Sequence, residues 1–230
     1  MRVLALLWLC ININEEDIRG KSVLEVGAQD VNGSIREFIL KYKPKSYIGV
    51  DIQQGKGVDM VLDAKDLIKT FGEESFDVVI STEMLEHVDD WRAVIHNLKG
   101  VVKKGGLLIL TTVSQGFPYH AYPYDFWRYE IDDFKQIFED FDILKLDKDE
   151  EHGVLLKARK PLNYNENNLE NIALYSMLTG KRELNKPKHF KLKIKVKIYL
   201  SRVINYVCSI VCRVPYLLFS FFNANKKHQC

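Results

Sequence analysis

Short apolar runs alternate with amphipathic stretches from residue 20 to residue 160. The amphipathic stretches have a helical period, and in the longest, residues 89–102, the apolar side chains fall on one face. We expect Gly105-Gly106 to end that helix. Buried strands that alternate with helices predict a parallel sheet covered on both faces. The predicted strands are 23–26, 46–51, 58–63, 76–81 and 107–113, and the shorter predicted helices are 34–42 and 64–71.

The pattern changes after residue 115. An aromatic segment at 116–129, GFPYHAYPYDFWRY, precedes a predicted helix at 130–140. Two further apolar runs, 141–147 and 153–159, are separated by a short charged turn, so they predict an antiparallel hairpin. The expected fold class is therefore α/β, with a Rossmann-like seven-stranded sheet of five parallel strands plus a C-terminal antiparallel hairpin, flanked by helices.

The rest of the chain has a different composition. Residues 161–188 are polar and rich in asparagine, which favours a linker that contains a helix and stops at Pro187. Residues 189–230 begin with lysines that alternate with apolar side chains and continue as an apolar run. We expect a domain at 1–160, a linker at 161–188, and a basic and apolar C-terminal extension at 189–230. The apolar first ten residues lack a cleavage site and are expected to pack on the domain.

Charge is unevenly divided along the 230 residues. The net charge is +2, but residues 161–230 carry 12 Lys and Arg against 3 Asp and Glu, so residues 1–160 are acidic. An acidic domain argues against nucleic acid as a partner. The basic extension predicts that residues 189–222 meet an anionic membrane surface, while packing on the domain or a dimer contact stays open. Arg202 and Arg213 leave apolar pieces too short to cross a membrane.

The cysteines indicate a reducing compartment. None of the four stands in a CxxC pair or beside a cluster of histidines. We therefore expect reduced thiols, no metal, and a cytoplasmic protein that is peripheral on the inner face of the membrane if residues 189–222 bind it.

The segment VLEVGAQDVNGS at 23–34 predicts a strand followed by a ligand-binding turn. Gly27 lets the backbone pass close to a ligand at the carboxyl edge of the sheet, and Gly33 can complete the turn. Glu25 can pair with an ammonium group. Asp51 ends the second strand, where a carboxylate can accept hydrogen bonds from both ribose hydroxyls. Asp63 ends the third strand and could meet an adenine amino group, although both aspartates also suit ordinary strand-end caps.

Together these features predict a ligand with an adenosine, a carboxylate and an ammonium group. S-adenosylmethionine (SAM) fits this description better than NAD. The loop G-x-G-x-x-G, which cradles the pyrophosphate of a dinucleotide, is absent because Gln29 and Asn32 stand at key places.

The chain resembles class I SAM-dependent methyltransferases, in the broad small-molecule group called type 11. The resemblance covers residues 20–160 and is carried by LEVGAQDVNGS, YIGVDI, VLDAKDL, FDVVISTEMLEHVDDW and GGLLILTT. Such enzymes usually have E-x-G-x-G-x-G, whereas Gln29 and Val31 replace the second and third glycines here. Contacts beyond Gly27 therefore stay open, with Asp30, Asn32 and Gly33 as candidates. The resemblance implies SAM contacts at Glu25, Gly27, Asp51, Ile52, Asp63, Ala64, Thr82 and Glu83.

The acceptor site should lie beside the cofactor, past the fourth and fifth strands. Methyl transfer is an in-line displacement in which the enzyme mainly aligns the reactants, and a base helps when the acceptor is a hydroxyl. For several residues of this region, a local structural role is the alternative to a role in the acceptor site. These local alternatives are a structural role for His87, an ion pair between Asp125 and Arg128, and packing of Trp127 inside the loop. The catalytic candidates are His87, His120 and Tyr124.

We therefore predict a SAM-dependent methyltransferase that O-methylates a small molecule, a glycan or a lipid-linked saccharide. Aromatic rings with polar neighbours, as in residues 116–129, suit a polyol. Two alternatives stay open. An NAD-linked oxidoreductase would share Asp51 but lacks the phosphate loop, and a catalytically silent scaffold of the same fold is compatible with the altered glycine turn.

Overall fold

The structure, a computed structural model, describes residues 1–120 and 124–187. The helices are α1 Val3–Asn12, α2 Glu15–Ile18, α3 Arg36–Lys41, α4 Leu67–Phe71, α5 Trp91–Val101 and α6 Ile131–Ile137. Short 3₁₀ turns lie at Ala64–Asp66 and Leu85–His87. The strands are β1 Ser22–Val26, β2 Ser46–Asp51, β3 Met60–Val61, β4 Phe76–Thr82, β5 Val102–Val113, β6 Trp127–Arg128, β7 Asp142–Lys148, β8 Gly153–Arg159, β9 Leu174–Ser176 and β10 Lys181–Glu183.

A seven-stranded sheet with the order β3-β2-β1-β4-β5-β8-β7 forms the centre of the fold. Strands β1 to β5 pair in parallel, and β8 pairs antiparallel with both β5 and β7. Strand β1 is central, with Leu24 opposite Ile48 on one side and Val79 on the other. The predicted fold class is therefore confirmed, because the apolar runs are strands of one covered sheet.

The N-terminal residues pack on the domain, as the sequence predicts. Helix α1 buries Ala5 and Leu9 completely. Leu9 belongs to an apolar cluster with Ile13, with Ile39 of α3 and with Ile109 of β5. Burial of this helix face covers one face of the sheet, and the apolar composition of the segment is thereby explained.

Helix α5 ends without the two glycines predicted to stop it. The helix finishes at Val101 and β5 begins at Val102, which pairs with Phe76 of β4. Gly105 and Gly106 lie inside the long strand, and a Cβ atom on Gly106 would stand 2.7 Å from the Asp77 carbonyl oxygen. The prediction was wrong because pairing with β4, and not a glycine cap, decides where the helix stops.

Residues 161–187 are not a helical linker. They contain β9 and β10, which form a three-stranded sheet with β6 in the order β10-β9-β6. Arg182 on β10 pairs with Asp133 at a distance of 2.7 Å and so ties this sheet to α6. The domain therefore extends past the predicted boundary at 160, and residues 1–186 form one compact unit. Asparagine-rich polarity misled the prediction, because strands of three residues need few apolar side chains, and Leu174 of β9 is one that is buried.

The predicted extension at 189–230 lies outside the described residues, as does Tyr122 of the aromatic segment. Within residues 1–120 and 124–187, no helix is both long enough and apolar enough to span a bilayer.

Candidate functional site

A cavity of about 380 Å³ opens at the carboxyl ends of β1, β2 and β4. Nine of the twelve predicted site residues line it: Glu25, Gly27, Gly33, Asp51, Ile52, Thr82, Glu83, His87 and His120. Asp63, Ala64 and Tyr124 are not among its lining residues. Parallel strands bring their carboxyl ends to one edge, which is why residues far apart in the sequence meet here.

Gly27 makes the turn that opens the cavity. Its φ of +80° is unfavourable for residues with a side chain, and a Cβ atom would stand 2.8 Å from Cβ of Met84. The Gly27 amide donates to the carbonyl oxygen of Val50, so the turn is fixed to β2. Only glycine meets both the backbone and the packing requirement at this position.

The segment after Gly27 also contributes to the cavity wall. Gln29, Val31, Asn32 and Gly33 all line it, including the two residues that replace glycines of the usual pattern. The amide of Gln29 donates to Asp51 Oδ2 at 3.1 Å, which links the turn to the end of β2. The altered turn therefore keeps its place through a side-chain acceptor on the neighbouring strand.

Glu25 is almost completely buried, with 2% of its surface exposed. The Tyr47 hydroxyl donates to Glu25 Oε2 at 2.5 Å, which supplies the partner that a buried carboxyl group needs. Burial raises the pKa of Glu25 to about 7, while the Tyr47 hydroxyl acts to lower it. The group can thus take or release a proton near neutral pH.

Asp63 and Ala64 have a local structural role. Strand β3 is only two residues long and exposed, so Asp63 does not end a buried strand as predicted. Its Oδ1 accepts a hydrogen bond of 2.9 Å from the amide of Lys65 and so caps the 3₁₀ turn that begins at Ala64. The capping alternative applies to this aspartate.

Arg2 is a site residue that the sequence did not reveal. Its guanidinium donates to both carboxylate oxygens of Glu83, with Nε 2.8 Å from Oε2, and to Asp149 Oδ2 at 2.6 Å. Thr111 donates to Glu83 Oε1 at 2.9 Å. Burial and the neighbouring Glu86 raise the pKa of Glu83, and Arg2 opposes this rise. A lone arginine near the chain start gave no pattern from which this contact could be predicted.

Two histidines face each other at the far side of the cavity. The rings of His87 and His120 are in edge contact, with centroids 4.8 Å apart. His87 Nδ1 lies 2.7 Å from the carbonyl oxygen of Tyr124, so this nitrogen is the donor. Tyr124 thus contributes its backbone, while its exposed ring packs beside Phe126.

Glu86 is a buried carboxylate behind the two histidines. Its Oε2 accepts from Thr112 at 2.8 Å, and its Oε1 lies 3.6 Å from His120 Nε2 and 3.9 Å from His87 Nε2. Burial acts to raise the pKa of Glu86, yet the two histidines hold it below the usual value. Burial acts to lower the pKa of His120, but Asp125 and Glu86 outweigh it and raise the pKa to about 9.

The aromatic segment is held mainly by packing. Asp125 and Arg128 form a buried ion pair, with Oδ2 2.6 Å from Nη2, and the Trp127 side chain is fully buried. Both local alternatives from the sequence are therefore confirmed. Within the described part of this segment, the side chains that reach the cavity are those of Phe117 and His120.

A family model described as a methyltransferase domain matches residues 6–149. The chain is 30% identical over 70 residues to the ubiquinone biosynthesis O-methyltransferase of Parvibaculum lavamentivorans, covering 30% of this chain and 27% of that protein. It is 30% identical over 122 residues to the protein of the same name from Azotobacter vinelandii, covering 46% and 51%. The chain thus spans about half or less of the length of these curated relatives.

Among solved structures, the fold is similar to that of Burkholderia thailandensis 1,6-didemethyltoxoflavin-N1-methyltransferase. The TM-score is 0.55 at 13% identity, and the match covers 68% of this chain and 78% of that chain. That structure contains bound 1,6-didemethyltoxoflavin and S-adenosylhomocysteine. At this identity the likeness shows a shared fold.

Proposed function

Because the chain belongs to this family of methyltransferase domains, we propose that it transfers the methyl group of SAM to a small-molecule acceptor. The observation that carries this proposal is the cavity in which Gly27 lies between the carboxyl groups of Glu25 and Asp51. These three residues are the ones that a ligand with an ammonium group and a ribose requires at the carboxyl edge of the sheet.

The carboxylate of Asp51 is our proposed ribose acceptor. It already accepts from the amides of Gln29 and Gln53, each at 3.1 Å. A carboxylate has about four lone-pair sites, so two remain for the two ribose hydroxyls. Ile52 follows with an exposed side chain and supplies an apolar surface for the adenine ring. Asp63 and Ala64 are left out of this proposal because they do not line the cavity.

We place the acceptor beside His87 and His120. In the reaction, an acceptor oxygen forms a bond to the methyl carbon, the carbon–sulfur bond breaks, and the electron pair stays on the sulfur of S-adenosylhomocysteine. Oxygen is the proposed acceptor atom because the curated relatives are named O-methyltransferases. The two histidines can bind a hydroxyl. Because the pKa of His120 is raised to about 9, this ring keeps its proton at neutral pH and can donate a hydrogen bond, which leaves His87 as the candidate base.

A hydroxylated small molecule is better supported than a saccharide. The saccharide prediction depended on an aromatic platform at residues 116–129, but Trp127 and Phe126 are buried and Tyr124 does not line the cavity. Phe117 is the described aromatic residue of that segment, apart from His120, that lines the cavity. One phenyl ring and two imidazoles suit a compact planar molecule.

Calorimetric titration of the full chain tests the proposal. SAM and S-adenosylhomocysteine should bind and NAD should not, since the turn lacks the pyrophosphate loop. If only NAD bound, the oxidoreductase alternative would replace the methyltransferase. Binding of SAM without methyl transfer to any of a panel of phenols and aliphatic alcohols would favour the silent scaffold.

A matched pair of variants sharpens this titration. Asp51→Ala should weaken SAM binding by roughly 10- to 100-fold, the equivalent of about 1.5–3 kcal/mol for a hydrogen bond to a charged group. Asp63→Ala, at the next strand end, should leave SAM affinity unchanged because Asp63 caps a turn outside the cavity. Equal losses in the two variants would contradict the proposed ribose contact.

Membrane association remains a proposal from the sequence alone. The lysines and apolar side chains of residues 189–222 suit an anionic lipid surface. In a flotation assay with anionic liposomes, the full chain should rise with the liposomes, and a chain ending at residue 188 should stay in the dense fraction. Equal flotation of the two chains would overturn this proposal.

A further inference from the structure

Three potential metal ligands converge at the acceptor side of the cavity. The atoms involved are a carboxylate oxygen of Glu86 and a ring nitrogen of each of His87 and His120, and all lie within 4.8 Å of one another. Glu86 is completely buried, whereas both histidines line the cavity. The cluster therefore has a closed side and an open side, which is the arrangement of a site that binds an ion and a further ligand.

Glu86 Oε1 is an unsatisfied buried acceptor. It finds no hydrogen-bond donor among the described residues, although the other oxygen of the same carboxylate accepts from Thr112. The two histidine nitrogens at 3.6 and 3.9 Å are too far for normal hydrogen bonds. A buried carboxylate oxygen that has only these longer charge contacts is incompletely satisfied, and a cation between Oε1 and the two nitrogens would bind it directly.

The outer nitrogens of both rings face oxygen atoms of the kind that metal-binding histidines use. His87 Nδ1 is 2.7 Å from the carbonyl oxygen of Tyr124, and His120 Nδ1 lies 3.2 Å from Asp125 Oδ2, a charge contact without hydrogen-bond geometry. Asp125 is itself fixed by its ion pair with Arg128. A carbonyl or carboxylate at the outer nitrogen orients the ring. Because the pKa of His120 is raised to about 9, an ion that binds its Nε2 displaces the proton that this ring holds at neutral pH. In both histidines Nε2 is the nitrogen nearer Glu86.

We propose that Glu86, His87 and His120 form a binding site for a divalent transition-metal ion such as Zn²⁺. Ligand bonds of about 2.0–2.2 Å to a tetrahedral ion place two ligand atoms about 3.3–3.6 Å apart. His120 Nε2, at 3.6 Å from Glu86 Oε1, already meets this requirement, whereas His87 Nε2, at 3.9 Å, has to move closer. Two imidazoles and one carboxylate favour zinc or another transition metal over Mg²⁺.

The open side of the proposed site faces the acceptor region, and the consequence for catalysis depends on the proposed function. A hydroxyl group that binds the ion loses its proton to water more readily, and the resulting oxygen anion is the better nucleophile for the methyl carbon. Ion binding itself does not require methyl transfer, so the two can be measured separately.

Titration of the chelator-treated, dialysed full chain with ZnCl₂ tests the site, with MgCl₂ as the comparison ion. We expect one tight Zn²⁺ site per chain and much weaker Mg²⁺ binding. His87→Ala and His120→Ala should each weaken Zn²⁺ binding by more than the roughly 10–100-fold that loss of an outer partner causes. His96→Ala is the matched control, because His96 is exposed and pairs with Glu166 away from the cluster. The Zn²⁺ affinity of this variant should equal that of the wild type.

Co²⁺ absorption provides a second readout that does not depend on activity. The wild-type chain should give visible bands of a Co²⁺ ion bound by nitrogen and oxygen, and His120→Ala should lose or shift them, while circular dichroism confirms that the variant is folded. Absence of tight Zn²⁺ binding in the wild type, or equal affinity in all three histidine variants, would overturn the proposal. Zn²⁺ binding in a chain that does not bind SAM would contradict the proposed function and leave the metal site standing.

Discussion

The cavity has two sides that are built in different ways. One side, here called the strand wall, consists of Glu25, Gly27 and Asp51 at the ends of β1 and β2. The other, here called the bridged wall, consists of Arg2, Glu83, His87, Phe117 and His120. The strand wall is held by sheet pairing, whereas the bridged wall is held by ion pairs and hydrogen bonds between segments distant in sequence.

Two carboxyl groups at this edge, Glu25 and the partly buried Glu83, illustrate the difference. Glu25 in the strand wall accepts a hydrogen bond from the Tyr47 hydroxyl on the paired strand, and burial raises the pKa of Glu25 to about 7. Glu83 in the bridged wall accepts hydrogen bonds from the guanidinium of Arg2, 81 residues away in the chain. Pairing of neighbouring strands thus provides the first partner, whereas the path of the chain start across the fold provides the second.

The largest expected effect is on the bridged wall. Arg2→Ala should lower the free energy of unfolding by about 3–5 kcal/mol, because it leaves the largely buried carboxylates of Glu83 and Asp149 without their cation. Arg19→Ala is the matched control: its i,i+4 pair with Glu15 is exposed and should contribute at most about 1 kcal/mol. Urea denaturation measures both, and equal losses would show that the bridge through Arg2 contributes no more than a surface ion pair.

The next effect concerns the pH dependence of the strand wall. Burial raises the pKa of Glu25 to about 7, compared with about 4.3 in an unfolded chain. Between these values the native state keeps a proton that the unfolded chain has released, so this group makes the free energy of unfolding fall as pH rises. The difference is about 2.7 pKa units, so at about 1.36 kcal/mol per unit the fall approaches about 3.7 kcal/mol by pH 8.

Glu25→Gln removes that titration. The unfolding free energy of the wild type, minus that of the variant, should decrease from pH 4.5 to pH 8 in urea denaturation of the ligand-free chain. Tyr47→Phe is a useful comparison, since loss of its hydroxyl should move the titration of Glu25 upward. A difference between wild type and Glu25→Gln that is constant over this range would mean that Glu25 titrates normally in the folded protein.

The smallest of the three effects isolates one contact. Gly27→Ala and Gly20→Ala both place a side chain at positive φ, +80° and +68°, and share that backbone strain. A Cβ atom on Gly27 also meets Met84 at 2.8 Å, whereas one on Gly20 meets nothing within 4 Å. Gly27→Ala should therefore be less stable than Gly20→Ala by about 1–3 kcal/mol, as for other overpacked sites. Thermal unfolding gives the comparison, and SAM titration should show a loss only for Gly27→Ala.

The wrong predictions, like the contacts of the bridged wall, trace to long-range contacts that no local signal in the sequence shows. Asp63 was expected at a strand end in the cavity, but β3 is too short to carry it there. Gly105 and Gly106 suggested a helix stop, but pairing of Val102 with Phe76 ends the helix earlier. Asp63 does cap a turn, but outside the cavity, and the two glycines form neither a turn nor a cap, because strand pairing overrides the local signal.

The sequence by itself determined the alternation of strands and helices, the closing hairpin, and the placing of Glu25, Gly27 and Asp51 at one edge. The period of apolar residues and the chemistry of turns are local properties of the sequence. Parallel pairing brings the carboxyl ends of strands to one edge, so correctly predicted strands also place the residues at their ends. Only the tertiary structure decided that Arg2 binds Glu83, that residues 174–176 pair with the aromatic segment, and that Glu86 stands behind His87 and His120. Such contacts depend on the path of loops and termini across the fold, and no local period encodes that path.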